Sequence, residues 1–199
     1  MTSNPSGIRI VLISGSVRVA SYTGKAMALI ADEIKKHPEI ALEVINPAGM
    51  NLPLPGTDGS SADAAQLRES VSQATGVILA TPEYHGSYSS VIKLVIENLG
   101  FPSVLAGKTV TLLGVAAGQI GAIKAVEGLA SVCMHVGAIV LPGAVSVANV
   151  REVFDADGRC LDPGIEKRVR SVAINLIDYI QGAICPRIAM EAMARGGSK

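Results

Sequence analysis

The sequence predicts an α/β fold: a three-layer sandwich on a five-stranded parallel sheet of order 2-1-3-4-5. Three observations carry this expectation. Short apolar runs rich in Ile, Val and Leu alternate with longer stretches of helical period. That alternation builds βαβ units, a parallel sheet and helices on both faces, joined by right-handed crossovers. The chain has 199 residues, 49% of them hydrophobic, enough for one domain with a sizeable core. Ligands in such sheets bind outside the carboxyl ends of the strands, at the switch point between strands 1 and 3.

The elements follow in order. Residues 8–13 are short and apolar, as a buried strand requires, and 22–36 place Ala26, Leu29, Ile30 and Ile34 at helical spacing. Residues 41–45 form the second strand, ended by Asn46-Pro47. The Pro-, Gly-, Ser- and Asp-rich stretch 51–63 reads as a loop, and 64–73 as a helix. The third strand is 76–81, with Pro82 ending it. A helix over 88–99 carries Val91, Ile92, Leu94, Val95, Ile96 and Leu99. The fourth strand is 109–116, followed by a Gly- and Ala-rich helix over 120–136. The fifth, 138–141, is broken by Pro142-Gly143 and continued by 144–147. The last helix spans 165–181, and 191–199 read as a loose tail of a single domain, 1–199.

Composition removes several function classes. Lys plus Arg and Asp plus Glu both number 17, so the basic excess of a general nucleic-acid binder is missing. The acidic bias of an electron-shuttle docking surface is missing too. The three cysteines, Cys133, Cys160 and Cys185, form no C-x-x-C, so neither zinc nor a dithiol redox motif is signalled. The N-terminal residues lack the basic character of a signal peptide. No apolar run approaches the ~18 residues of a membrane span. The expectation is a cytoplasmic protein with no membrane partner.

Three loops at the predicted ligand edge hold the chemistry. The first is Ser14-Gly15-Ser16-Val17-Arg18-Val19-Ala20-Ser21-Tyr22-Thr23, between a strand and a helix. A helix N-terminus offers unpaired N–H groups and partial positive charge, which suit a phosphate. Ser16, Ser21 and Thr23 add hydroxyls, and Arg18 a planar fork that matches a phosphate dianion. A plain turn with an N-cap accounts for Ser and Thr alone; the added Arg favours anion binding. The second loop is Pro82-Glu83-Tyr84-His85-Gly86-Ser87-Tyr88. Singly, His85 is an exposed loop histidine and Glu83 a solvated acid; clustered at a ligand edge they point to binding. The third, Ala116-Ala117-Gly118-Gln119-Ile120-Gly121, permits close backbone approach through its glycines, as would an ordinary strand-to-helix turn.

Ser14-Gly15-Ser16-x-Arg18-x-x-Ser21 after the first strand resembles the NADPH-dependent FMN reductase family when taken with Pro82-Glu83-Tyr84-His85-Gly86-Ser87 and Lys93 after the third. That family includes flavin, quinone, azo-dye and chromate reductases of flavodoxin-like fold, and the likeness runs from about Ile8 to Val147. It implies that Ser16, Arg18, Ser21, Tyr22 and Thr23 hold the FMN phosphate. Pro82, Glu83, Tyr84, His85, Gly86 and Ser87 would line the ribityl chain and isoalloxazine, and Ala117 and Gly118 would approach the pyrimidine end. Hydride would pass from the nicotinamide of NADPH or NADH to FMN and on to a small-molecule acceptor, in a ping-pong sequence. The resemblance also favours a homodimer or homotetramer through the helix over 88–99, whose apolar residues cover more than one face. The rivals are an FMN-binding electron shuttle and a flavin-free module on the same fold.

Other motifs carry no function. Gly107-Lys108-Thr109 precedes a strand and has Pro102 where a P-loop needs glycine. Asp155-Ala-Asp157-Gly158 lacks calcium-loop spacing and reads as a polar turn. Cys133-Met-His135 reads as helix core.

Overall fold

The computed structural model describes residues 7–57 and 61–196. The N-terminal six residues, three residues of the 51–63 loop and the last three of the expected tail lie outside the described residues. The strands are β1 (Arg9–Ser14), β2 (Ala41–Ile45), β3 (Gly76–Tyr84), β4 (Ser87–Tyr88), β5 (Thr109–Val115), β6 (Ile139–Val140) and β7 (Val145–Val147). The helices are α1 (Tyr22–Ile34), α2 (Ala62–Gln73), α3 (Ser90–Glu97), α4 (Ile123–His135), α5 (Val150–Val153), α6 (Pro163–Tyr179) and α7 (Cys185–Gly196).

The sheet runs β2-β1-β3-β5-β6, with β7 also on β5 and β4 on β3. All pairings are parallel except β3–β4. With the short β4 set aside and β6 and β7 counted as one interrupted strand, this is the expected 2-1-3-4-5 order. Alternation along each strand sends side chains to opposite layers. Ile10, Leu12, Ile78, Ala80, Leu113 and Val115 join one core with residues of α1 and α6. Val11, Ile13, Val77, Leu79, Val110 and Leu112 join the other, with residues of α2, α3 and α4.

Several boundaries differ from expectation, each for a local reason. Pro82 does not end β3. At Thr81 and Pro82 the strand has lost β1 as a neighbour and pairs with β5 alone, before β4 joins it at Glu83, and such a one-sided ladder tolerates a residue without N–H. The 88–99 helix is shorter, because Tyr88 belongs to β4 and Ser89 caps α3 by accepting from Ile92 N–H. α4 begins at Ile123, since Gly121 has a positive φ of 74°. α2 begins inside the expected loop, where Ser61 accepts from the N–H groups of Asp63 and Ala64. Of the triplet Cys133-Met134-His135 in α4 only Cys133 is core; Met134 and His135 are exposed, as rotation by about 100° per residue dictates.

The expected loose tail from 191 is helical as far as Gly196. α7 follows α6 through a π-helical turn, Ile180–Ile184. Its Ala, Met, Glu and Arg are strong helix formers, and Glu191 pairs with both Arg187 and Arg195. Asp155–Gly158 is a turn, as read: Asp155 accepts from Gly158 N–H and from Arg159 N–H.

Candidate functional site

β1 lies between β2 and β3, so the chain leaves it to one side and later returns on the other. The ends of β1 and β3 therefore open the crevice in which such sheets bind ligands. The first loop is built against β3. Gly15 N–H donates to Ala80 O at 2.6 Å, and Ser89 Oγ donates to Gly15 O at 2.6 Å. A Cβ at Gly15 would lie 2.8 Å from Ala80 O, so only glycine fits. Ser14 Oγ donates to Ser16 O and accepts from Ser16 N–H, closing the turn. Ala20 takes a positive φ of 50°, a costly backbone state for a residue with a side chain. Ser21 then caps α1 by accepting from Gly24 N–H at 3.0 Å. The N–H groups of Tyr22 and Thr23 find no partner among the described residues.

The second loop is a hairpin. Glu83 pairs with Tyr88 and Tyr84 with Ser87, leaving His85 and Gly86 as a two-residue turn with φ of 52° and 74°. Positive φ at both positions is the type I′ signature. The third loop is tied to the strand beyond it. Ala116 N–H donates to Val147 O, Val150 N–H to Ala116 O and Asn149 N–H to Gly118 O.

These segments enclose a cavity of about 250 Å³. Of the residues expected from the sequence, Ser16, Arg18, Ser21, Tyr22, Thr23, Pro82, Glu83, Tyr84 and Ala117 line it. His85, Gly86 and Ser87 stand outside the lining, exposed on the hairpin. Gly118 is also outside it, and a Cβ built there meets nothing within 4 Å. Val150 and Arg151 line the cavity and were not expected. The only sequence sign of them is an Asn149 followed by a short polar–apolar run, too weak to place on a sheet edge. A larger groove of about 730 Å³ runs along α1 toward Val44 and Asn46. It shares Ser16, Arg18 and Ser21 but reaches neither the 82–88 hairpin nor Ala117, so the smaller cavity is the one where the three loops meet.

The donor set suits a phosphorylated ligand: the residues that carry helix N-terminal N–H groups unpaired among the described residues, three hydroxyls and the Arg18 fork line one space. The rim suits a flat apolar group. On the lining, Val19 is 98% exposed and Tyr84 44%. An α/β sheet of this order with its cavity at the switch point is the flavodoxin-like arrangement.

Residues 8–152 match the model of the NADPH-dependent FMN reductase family, and the chain belongs to that family. An NAD(P)H-dependent FMN reductase of Pseudomonas aeruginosa is 30% identical over 163 residues, 78% of this chain and 85% of its own. The NADPH-dependent FMN reductase ArsH of Rhizobium meliloti is 28% identical over 178 residues, 86% of this chain and 71% of its own. FerB, a flavoenzyme NAD(P)H:(acceptor) oxidoreductase of Paracoccus denitrificans, superposes with a TM-score of 0.72 at 21% identity. The superposition covers 88% of this chain and 98% of that one. The chain is thus an oxidoreductase that uses FMN with NAD(P)H as co-substrate, and a shuttle without nicotinamide oxidation is not favoured.

Proposed function

We propose that the cavity between the three loops holds FMN, with its phosphate at the N-terminus of α1 and its ring toward the hairpin and the 116–118 loop. One observation carries this reading: Tyr22 and Thr23, whose N–H groups have no partner among the described residues, line the same cavity as Arg18, Ser16 and Ser21. When bound, FMN supplies hydride acceptance from the nicotinamide and electron delivery to an acceptor.

The chain's own residues then bind and orient. Arg18 and the hydroxyls neutralise and anchor the phosphate. Pro82, Glu83 and Tyr84 form the wall for the ribityl chain, with Glu83 accepting from its hydroxyls. His85, Gly86 and Ser87 flank the ring from the hairpin. Ala117 and Gly118 bring backbone N–H groups to the pyrimidine edge, where they stabilise negative charge. The exposed Val19 and Tyr84 leave an apolar rim on which a nicotinamide or an acceptor stacks. The acceptor is a small molecule: a free flavin, a quinone, an azo compound or a metal oxyanion. The protein works in the cytoplasm, as a homodimer or homotetramer assembled through the helix in 88–99; no described helix is long and apolar enough to cross a membrane.

The test is direct. Apo-protein is titrated with FMN while flavin fluorescence is followed, and NADPH and NADH oxidation are then measured with FMN present. Saturable binding that Arg18→Ala weakens, together with NAD(P)H oxidation, is the expected result. Binding that ignores Arg18 and the Ser16 hydroxyl overturns the placement of the phosphate.

A further inference from the structure

Two guanidinium groups border the cavity, and the motif after β1 accounts for one of them. We propose that Arg151, carried by the turn after β7, is a second cation for the FMN phosphate and makes the site select FMN over riboflavin. This assignment rests on the flavin site proposed above.

The placement of Arg151 is fixed by the backbone. Val150 N–H donates to Ala116 O at 3.0 Å and Asn149 N–H to Gly118 O at 3.2 Å, so residues 149–150 are bound to the third loop. Asn149 takes the left-handed conformation, with φ 45° and ψ 40°, where β7 gives way to α5. Val150 and Val153 of α5 are buried in the core on which Tyr22 also packs. The apolar residues of α5 thus anchor it beside the start of α1. Arg151 is left exposed and on the cavity wall with Arg18, Ser16, Ser21 and Thr23.

The charge pattern points to a dianion. The side chains of Arg18 and Arg151 have no ion pair or hydrogen bond among the described residues. Arg68, Arg168 and Arg170 instead place their forks on protein carbonyls or carboxylates. Two unpaired guanidinium groups on one small cavity repel each other unless an anion lies between them. A phosphomonoester carries ~2 negative charges at neutral pH, which one Arg only half balances. Glu83 is the single carboxylate of the lining, and it comes from the β3 wall, not from the two Arg-bearing loops. With a formal net charge of zero, the molecule has no net positive charge to draw the anion in, which leaves that attraction to local cations.

Dissociation constants for FMN and riboflavin, measured by fluorescence on the apo forms of wild type, Arg18→Ala, Arg151→Ala and Arg151→Lys, test the assignment. Loss of the Arg151 fork should weaken FMN by about 10-fold or more while riboflavin changes less than about 2-fold. Arg151→Lys should recover part of the loss, because it keeps the charge without the fork. An unchanged ratio of FMN to riboflavin affinity in Arg151→Ala overturns the proposal. So does an unchanged FMN affinity with a raised KM for NADPH, which would give Arg151 to the dinucleotide. If wild type and Arg18→Ala alike fail to discriminate FMN from riboflavin, the phosphate site itself is misplaced, and the assignment falls with it. Thermal unfolding of the apo variants checks that each is folded.

Discussion

At Gly15 a side chain would enter occupied space: its Cβ would lie 2.8 Å from Ala80 O, 3.0 Å from Ser89 Oγ and 3.1 Å from Ile92 Cβ. The carbonyl belongs to the sheet and cannot give way. Gly15→Ala is therefore expected to destabilise the fold by about 1–3 kcal/mol and to weaken FMN, since the same loop aims Ser16 and Arg18; thermal denaturation and an FMN titration measure the two effects. The opposite outcome is expected at Thr111, a buried β5 residue whose hydroxyl has no hydrogen-bond partner among the described residues. Thr111→Val removes an unmet polar group at nearly constant shape. It should be neutral or stabilising by up to about 1 kcal/mol in a urea titration. At this scale the anion loop was open to reading because its residue types state their chemistry. Arg151 was not, because its role depends on two backbone hydrogen bonds to a loop distant in sequence.

α1 and α6 lie side by side on one face of the sheet and are joined by a charged cluster. Arg170 of α6 donates to Asp32 at 2.6 Å and Glu33 at 3.2 Å on α1, and to Glu166 on its own helix at 2.9 Å. The Arg170 bond holds the Asp32 carboxyl below its ordinary range, and the bond from Lys36, seconded by Arg170, does the same for Glu33. Both folded-state values are depressed, so the stability they contribute is present above the ordinary carboxyl range. It is lost as pH falls through their lowered values. Asp32 is 61% exposed and its share is largely screened by solvent, whereas Glu33, at 11%, meets the Arg170 guanidinium largely out of solvent. Arg170→Met should cost about 1–2 kcal/mol at neutral pH. The gap between wild type and variant should narrow on acidification below pH about 4; a gap independent of pH counts against the cluster. Among the elements, strands and core-facing helices were legible because burial imposes a period. The tail helix was not, since Ile188, Met190 and Met193 of α7 are exposed and no core imposes that pattern on it.

On the scale of the whole molecule, α3 buries Ile92, Val95 and Ile96 toward the sheet and leaves Val91 and Leu94 only half covered. Self-association through this helix would complete their burial. Sedimentation should give a dimer or tetramer, and Leu94→Glu should shift it toward the monomer; a monomeric wild type removes this interface. The sheet order was legible as a whole because right-handed crossovers leave few arrangements for five apolar strands with helices between them. The interrupted last strand is the part of that arrangement with a consequence for the cofactor. Its second half, β7, delivers Val150 and Arg151 to a cavity whose other walls begin at Ser16. A flavin seated there is a clasp between the start and the far side of the domain. It should raise the melting temperature with concentration, and it should be captured only once the chain has been made past Arg151, when β7 takes its place beside β5.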